Sequence, residues 1–221
     1  MMSDARMARM ILDLRREGIT DAHLLNAIER VPRDLFVPAA FNDQAFANRA
    51  LPIGFGQTVS QPLVVALMTQ ALELTDRVKI LEIGTGSGYQ AAVLAHLVRR
   101  VYSIERHREL LKEAEARFKV LGLHTITTKQ GDGSKGWPAQ APFDRIIVTA
   151  AAEAMPEGLA AQLAPGGIMV APVGLQGQDQ TLYRIRRTED GFKTESLGLT
   201  RFVPLVVEDE VPARPMRRPA S

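Results

Sequence analysis

Apolar residues recur along this chain with two different periods, and each change of period marks the edge of an element. Near the start, Met7, Met10, Ile11 and Leu14 fall on one face of a helix. A second helix carrying Leu24, Leu25 and Ile28 follows a cap at Thr20 or Asp21. From Arg33 to Phe55 prolines interrupt any period, which predicts a long loop. The run "SQPLVVALMTQALEL" then predicts a helix with Pro62 in its first turn, apolar on nearly every side and therefore buried.

After Asp76 the rhythm alternates. "VKILEIG" predicts a buried strand, "GYQAAVLAHLV" a helix, "VYSIE" a strand and "HRELLKEAEARFKVLG" a helix. "TITTKQGDG" and "FDRIIVTAA" follow as strands, "PEGLAAQLAPGG" as a helix closed by its glycines, and "IMVAPVG" as a strand. Strands separated by helices call for a parallel sheet, so the predicted core is a doubly wound α/β fold. Beyond Gly174, "TLYRIRRTEDGFKTESLG" predicts an antiparallel hairpin around "EDG", and "RFVPLVVEDE" a last short strand. One domain is expected: 1–75 for N-terminal helices and a substrate-site segment, 76–174 for the cofactor-binding core, 175–207 for C-terminal strands, and 208–221, rich in Pro and Arg, as a flexible tail.

Composition narrows the function. With 221 residues and 46% hydrophobic content the chain supports one sizeable core. Lys and Arg total 27 against 25 Asp and Glu, a formal charge of only +2, so charge does not imply nucleic acid as a partner. The absence of cysteine excludes disulfides, thiolate metal sites and a cysteine nucleophile. His23, His96, His107 and His124 lack metal-ligand spacing, and no metal is expected. Charges interrupt the apolar residues of the N-terminus and no run of eighteen apolar residues occurs, so the expectation is a soluble, cytoplasmic protein without membrane association.

The candidate chemistry gathers at predicted strand ends. "LEIGTGSGYQ" puts Gly84, Gly86 and Gly88, with Thr85 and Ser87 between them, where a strand turns into a helix and ligand atoms approach backbone closely. The spacing is G-x-G-x-G, unlike the dinucleotide pattern G-x-G-x-x-G, and no lysine follows to hold a triphosphate. Glu105, ending the next strand, is placed to accept from ribose hydroxyls. Asp132 and Gly133 in "GDG" end the third, where Asp132 can accept from an adenine amine. Glu82, beside the glycine turn, would orient that turn or meet a cationic amine and would repel a pyrophosphate. A nucleoside carrying an amine and no phosphate fits this set, and S-adenosylmethionine is such a molecule.

"ILEIGTGSGYQAAVLA", "YSIER", "GDG", "PFDRIIVTAAA" and "QLAPGG" together resemble the class I S-adenosylmethionine-dependent methyltransferases. More narrowly, "LPIGFGQTVSQPLVVALM" and "FVPLV" resemble the protein-L-isoaspartate O-methyltransferase family, over about Met7 to Val207. The resemblance implies a Rossmann-like sheet and S-adenosylmethionine as methyl donor with S-adenosylhomocysteine as product; a monomer is expected, although the sequence does not disclose the oligomeric state. Its implied partners are damaged proteins in which the chain runs through an aspartyl side chain, leaving a free α-carboxylate. It implies that Ser60 lies by the transferable methyl and the substrate carboxylate, with Gln57, Thr58 and Val59 contacting substrate.

The residues alone leave Ser60 open between two roles, because Ser followed by Gln61 and Pro62 is also an ordinary helix cap. Other acceptors on the same fold, and a noncatalytic S-adenosylmethionine-binding module, stay open as well. Asp144 is a strand-start cap or a cofactor contact, and Trp137 an adenine wall or a loop anchor. Phe46 and Asn48 stand where the family often has tyrosine and aspartate, and Val206 stands where some members have a polar residue.

Overall fold

A computed structural model describes residues 2–207. Two helices, α1 (Met2–Arg16) and α2 (Ala22–Arg30), precede the rest. Of the two candidate caps it is Asp21 that starts α2, accepting from the amides of His23 and Leu24 at 2.9 and 3.1 Å. The expected long loop is more ordered than its irregular pattern predicts. It holds two 3-10 turns, Arg33–Phe36 and Ala39–Gln44, and then the hairpin β1 (Leu51–Gly54) with β2 (Gln57–Val59), antiparallel. The tip of that hairpin has three successive positive φ angles, at Gly54, Phe55 and Gly56, and a phenylalanine there gives no sequence signal of a turn. Helix α3 (Pro62–Ala71) follows.

The sheet has seven strands: β3 (Lys79–Ile83), β4 (Arg100–Glu105), β5 (Ile126–Gln130), β6 (Phe143–Val148), β7 (Leu163–Val173), β8 (Gln180–Thr188) and β9 (Gly191–Thr200), in the order β5-β4-β3-β6-β7-β8-β9. The first five in that order run parallel, and β8 and β9 add antiparallel. Crossover helices α4 (Tyr89–Ala95) and α5 (Arg108–Val120) carry the chain outward from β3 to β5, after which β6 returns to the other side of β3. That reversal opens a crevice at the carboxyl ends of the strands.

Both faces of the central strands are covered, which is why Ile80, Leu81 and Ile83 in β3 and Ile146, Ile147 and Val148 in β6 are apolar on both sides of the sheet. Ile80 belongs to the core that packs under α1, α2, α3 and α4, whereas Leu81 and Ile83 face the opposite core with Phe143, Ile146 and Met169. That second face is lightly covered. The helix expected over "PEGLAAQLAPGG" is only the single turn α6 (Glu157–Ala160), and its supposed closing glycines lie inside β7. There β6 advances from Phe143 to Arg145 while β7 advances from Leu163 to Ile168, so Gly166 and Gly167 occupy an irregularity in the ladder. A Cβ on Gly167 would meet the Ala164 carbonyl at 2.8 Å, so close backbone contact, not helix termination, requires it.

The hairpin of β8 and β9 turns at Glu189 and Asp190, as expected from "EDG". Over the described residues 201–207 the last predicted strand does not form. Ala151 makes one isolated bridge to Pro204, with backbone bonds of 2.7 Å to Val203 and Leu205, because proline has no N–H to extend a ladder. Residues 208–210 of that predicted strand, and the tail predicted to be flexible, lie outside the described residues. No helix among the described residues is long and apolar enough to cross a membrane.

Candidate active site

A cleft enclosing about 880 Å³ of empty space, its open mouth included, lies at the carboxyl ends of β3, β4 and β6, where the strand order reverses. Its floor is the turn after β3. Here the Gly84 and Thr85 amides donate to the Ile104 carbonyl at 2.9 and 3.2 Å, and the Gly86 amide donates to Glu105 Oε2 at 2.8 Å. Glu105 Oε1 accepts from the His107 amide at 2.9 Å, so one carboxylate shapes both the glycine turn and the start of α5 while lining the cleft.

The three glycines of the turn serve different ends. A Cβ on Gly84 would strike Thr149 Oγ1 at 2.5 Å, and one on Gly88 would strike the Phe118 ring at 2.7 Å. At Gly86 the nearest atom would be Ile53 Cδ1, at 3.4 Å, so this glycine alone of the three presents bare backbone to the space between hairpin and turn. Open space beside the backbone is therefore a property of Gly86, and close packing a property of Gly84 and Gly88.

Two acidic residues expected at the ligand do not line the cleft. Glu82 is wholly buried beneath it, because its place in β3 points it at the helix-covered face. The Ser103 hydroxyl donates to Glu82 Oε2, Thr85 Oγ1 lies 2.5 Å from Ser103 Oγ, and Glu82 Oε1 has no hydrogen-bond partner among the described residues. Burial pushes its carboxyl up to about 8, against the Ser103 hydrogen bond, so at neutral pH it is largely a neutral acid under the turn. Asp132 turns back on its own loop: Oδ1 accepts from the Ser134 amide and hydroxyl at 2.9 and 2.6 Å, and Oδ2 lies 3.8 Å from Lys135 Nζ. Its neighbour Gly133 does line the cleft, and a Cβ there would strike Ile83.

Gln57, Thr58, Val59 and Ser60 all line the cleft, as do Thr85, Ser87, Gly84 and Gly86. Gly88 caps α4 just beyond. Ser60 is not the cap of α3. Gln61 occupies that position without a side-chain bond, and Asn48 reaches across to accept from the Leu63 amide at 3.1 Å. The Ser60 hydroxyl is thereby released from capping. Thr58 and Ser60 also line a second groove with Val64, Leu199, Thr200, Arg201 and Phe202, so Ser60 stands where the two spaces meet.

Several lining residues were not among the expected site residues, although "FVPLV" and "PFDRIIVTAAA" stood among the motifs that carry the resemblance. Val203, Pro204, Leu205 and Val206 close the cleft from far along the chain. Thr149, ending β6, donates to the Ile83 and Gly84 carbonyls at 2.9 and 2.7 Å. His107 lines the cleft and stacks on Phe55 of the hairpin tip, ring centroids 5.3 Å apart, which clips the hairpin over the turn. Trp137 and Asp144 are structural: Trp137 packs edge-on against Tyr102, and Asp144 Oδ2 accepts from the Lys79 amide at 2.7 Å to tie down the start of β3. Phe46 is buried with Arg6 Cζ 5.2 Å from its ring centre.

The sequence pattern of the protein-L-isoaspartate(D-aspartate) O-methyltransferases matches residues 5–210. The chain belongs to that family. The isoaspartate O-methyltransferase of Rhodospirillum rubrum is 62% identical over 212 residues, covering 95% of this chain and 96% of its own, and that of Paramagnetospirillum magneticum is 60% identical over 205 residues, covering 92% and 96%. A solved protein-L-isoaspartate O-methyltransferase superposes with a TM-score of 0.81 at 26% identity, covering 90% of this chain and 65% of that one. A Plasmodium falciparum structure described as a protein-L-isoaspartate O-methyltransferase in complex with S-adenosyl-L-homocysteine shares the fold, with a TM-score of 0.77 at 22% identity over 90% of this chain and 97% of that one. Membership makes this isoaspartate O-methyltransferase family chain an S-adenosylmethionine-dependent protein methyltransferase.

The cleft suits that cofactor on its own terms. Among the described residues no lysine lines it, although Arg106 does; the carboxylate of Glu105 is suited to hydroxyls, and Val65, Met68, Ile104 and Leu205 supply apolar wall. Bare backbone at Gly86 leaves room for a ligand without phosphates.

Proposed function

We propose that Ser60, at the junction of the cofactor cleft and the second groove, orients the α-carboxylate of an L-isoaspartyl residue for methylation, with the flanking polypeptide leaving through that groove. The junction is the observation that carries this reading, since Thr58 and Ser60 line both spaces. Bound S-adenosylmethionine would supply a methyl group made electrophilic by its sulfonium. Glu105 would accept from ribose hydroxyls, Gly86 would admit the ligand against the backbone, and Gly133 and Leu205 would flank the base.

The acceptor needs no base, because a carboxyl group titrates near ~4 and is ionised at neutral pH. What remains for the protein is alignment and the exclusion of water. The Ser60 hydroxyl, donating to one carboxylate oxygen, leaves the other free to face the methyl. Val65 and Met68 give that meeting point an apolar side. The role of Asp132 toward an adenine amine needs its carboxylate to accept one bond more than those from Ser134, and Glu82 acts through Ser103 and Thr85 on the turn rather than by touching ligand.

The ester that forms carries methoxide as its leaving group, a better one than the free carboxylate can offer. The neighbouring amide nitrogen attacks the ester carbonyl, methanol leaves, and the succinimide hydrolyses in part to normal aspartate, so the reaction is a repair step. A monomer acting in the cytoplasm on polypeptide, not on nucleic acid, is part of this proposal, supported by the near-neutral formal charge of +2. The test is methyl transfer from labelled S-adenosylmethionine to two peptides differing only in an L-isoaspartyl or L-aspartyl residue. Base-labile ester on the isoaspartyl peptide alone is expected; equal labelling of both, or of neither, contradicts the reading.

A further inference from the structure

Ser60 does not hold its own place, and the group that holds it comes from the first 3-10 turn. Arg33 is 0% exposed, although arginine is almost never fully buried without partners. Its charge is met by backbone oxygens and a ring. Nη1 donates to the Ala45 carbonyl, Nη2 donates to the carbonyls of Ser60 at 2.8 Å and Arg49 at 3.3 Å, and Cζ lies 5.5 Å from the centre of the Tyr89 ring.

These partners belong to two sides of the reaction. Ala45, Arg49 and Ser60 lie on the segment that leads into and out of the hairpin, the acceptor side. Tyr89 opens α4 directly after Gly88 and lines the cleft, the cofactor side. Phe36, from the same 3-10 turn as Arg33, meets Tyr89 edge-on at 5.5 Å and fixes the ring against which the guanidinium rests. A guanidinium is planar and presents its donors in a rigid fork, so it transmits the position of one partner to another; an ammonium on a flexible stem does not.

We propose that Arg33 is a positioning residue for methyl transfer, registering the backbone of Ser60 against the first turn of α4 and so setting the Ser60 hydroxyl at its working distance from the methyl donor. This rests on the role proposed for Ser60 in orienting the carboxylate. Arg33 touches neither substrate nor cofactor and acts through Ser60, so removing the Ser60 hydroxyl removes most of what Arg33 contributes to the rate. A buried staple with only a structural role would instead lower activity equally with or without that hydroxyl.

The test is a double-mutant cycle in the full chain: Arg33→Lys and Arg33→Gln, each alone and combined with Ser60→Ala. The measurements are kcat and KM on an isoaspartyl peptide, S-adenosylhomocysteine affinity by calorimetry, and thermal unfolding. Displacement of about 1 Å suffices for large rate losses, so Arg33→Lys is expected to lower kcat roughly 10–100-fold. Cofactor affinity stays within about threefold, and the same substitution in the Ser60→Ala chain lowers kcat by less than about threefold. Arg33→Gln, which leaves no buried charge, carries the same cycle should the lysine chain fail to fold. Unchanged kcat in a folded Arg33 variant, or equal losses in both backgrounds, overturns the proposal while leaving Ser60 in place. An unchanged rate in Ser60→Ala alone overturns both.

Discussion

Each residue of the glycine turn answers a separate physical demand, and the demands predict different failures. Gly86 has a φ of +53° and an unobstructed side toward the cleft, so a valine there suffers backbone strain and fills ligand space. Gly88 faces the Phe118 ring, so even one methyl group at that position disturbs packing. Calorimetry with S-adenosylhomocysteine on Gly86→Val is expected to show affinity lost by tenfold or more, on the order of 1.4 kcal/mol; retained affinity would place the cofactor elsewhere. Gly88→Ala is expected to lower the melting temperature instead. The G-x-G-x-G spacing was legible as a turn from strand to helix, but which glycine has open space beside it was not, because that depends on Thr149, Phe118 and Ile53, far apart in sequence. Glu82 and Asp132 show the same limit: an acid at a strand end is visible in sequence, whereas its direction is set by the pleat of β3 in one case and by a local cap on Ser134 in the other.

Among the elements, α3 and the hairpin before it depend on one another. The side-chain cap of α3 comes not from the preceding serine but from Asn48, upstream of the whole hairpin, and this frees the Ser60 hydroxyl to face the cleft. Replacing Asn48 by Ala is expected to cost about 1 kcal/mol in denaturant unfolding. Asn48→Asp keeps the bond and adds a favourable charge at a helix N-terminus, so its stability stays equal or rises by a few tenths. A loss in Asn48→Asp as large as in Asn48→Ala would show that the bond to Leu63 does not cap α3. The alternating strands and helices from β3 to β6 were legible because both faces of those strands are buried, which concentrates their apolar residues into short runs. The hairpin was not, since three consecutive positive φ angles around Phe55 break the alternation that announces strands. Nor was the extent of α6, whose sequence has helical composition but whose glycines serve the irregular pairing of β6 with β7.

At the scale of the molecule, the reversal of strand order puts the cleft at the carboxyl ends of β3, β4 and β6, and that much follows from the order of predicted elements. Closure of the cleft by residues 203–206 does not, because the segment is held without a regular strand, by the bridge of Pro204 to Ala151 and the packing of Leu205 on the core. The buried acid beneath the turn gives the whole fold a pH dependence. Glu82 titrates near 8 when folded, above the ordinary 4.5, so the folded chain binds the extra proton between those values. Its contribution to stability is therefore complete below about pH 4.5 and is lost as pH rises toward 8, by an amount on the order of a few kcal/mol. Thermal unfolding of Glu82→Gln is expected to depend less on pH across that window than the parent chain, and parallel profiles would contradict a neutral Glu82. The central claim, however, concerns Ser60 at the junction of two spaces, and it is tested most directly by comparing Ser60→Ala with the parent chain for methyl transfer to an isoaspartyl peptide and for S-adenosylhomocysteine affinity. Loss of a single well-placed donor predicts a kcat lowered roughly 10²-fold or more with cofactor affinity unchanged. An undiminished kcat would remove Ser60 from the reaction and leave the junction of cleft and groove without a catalytic role.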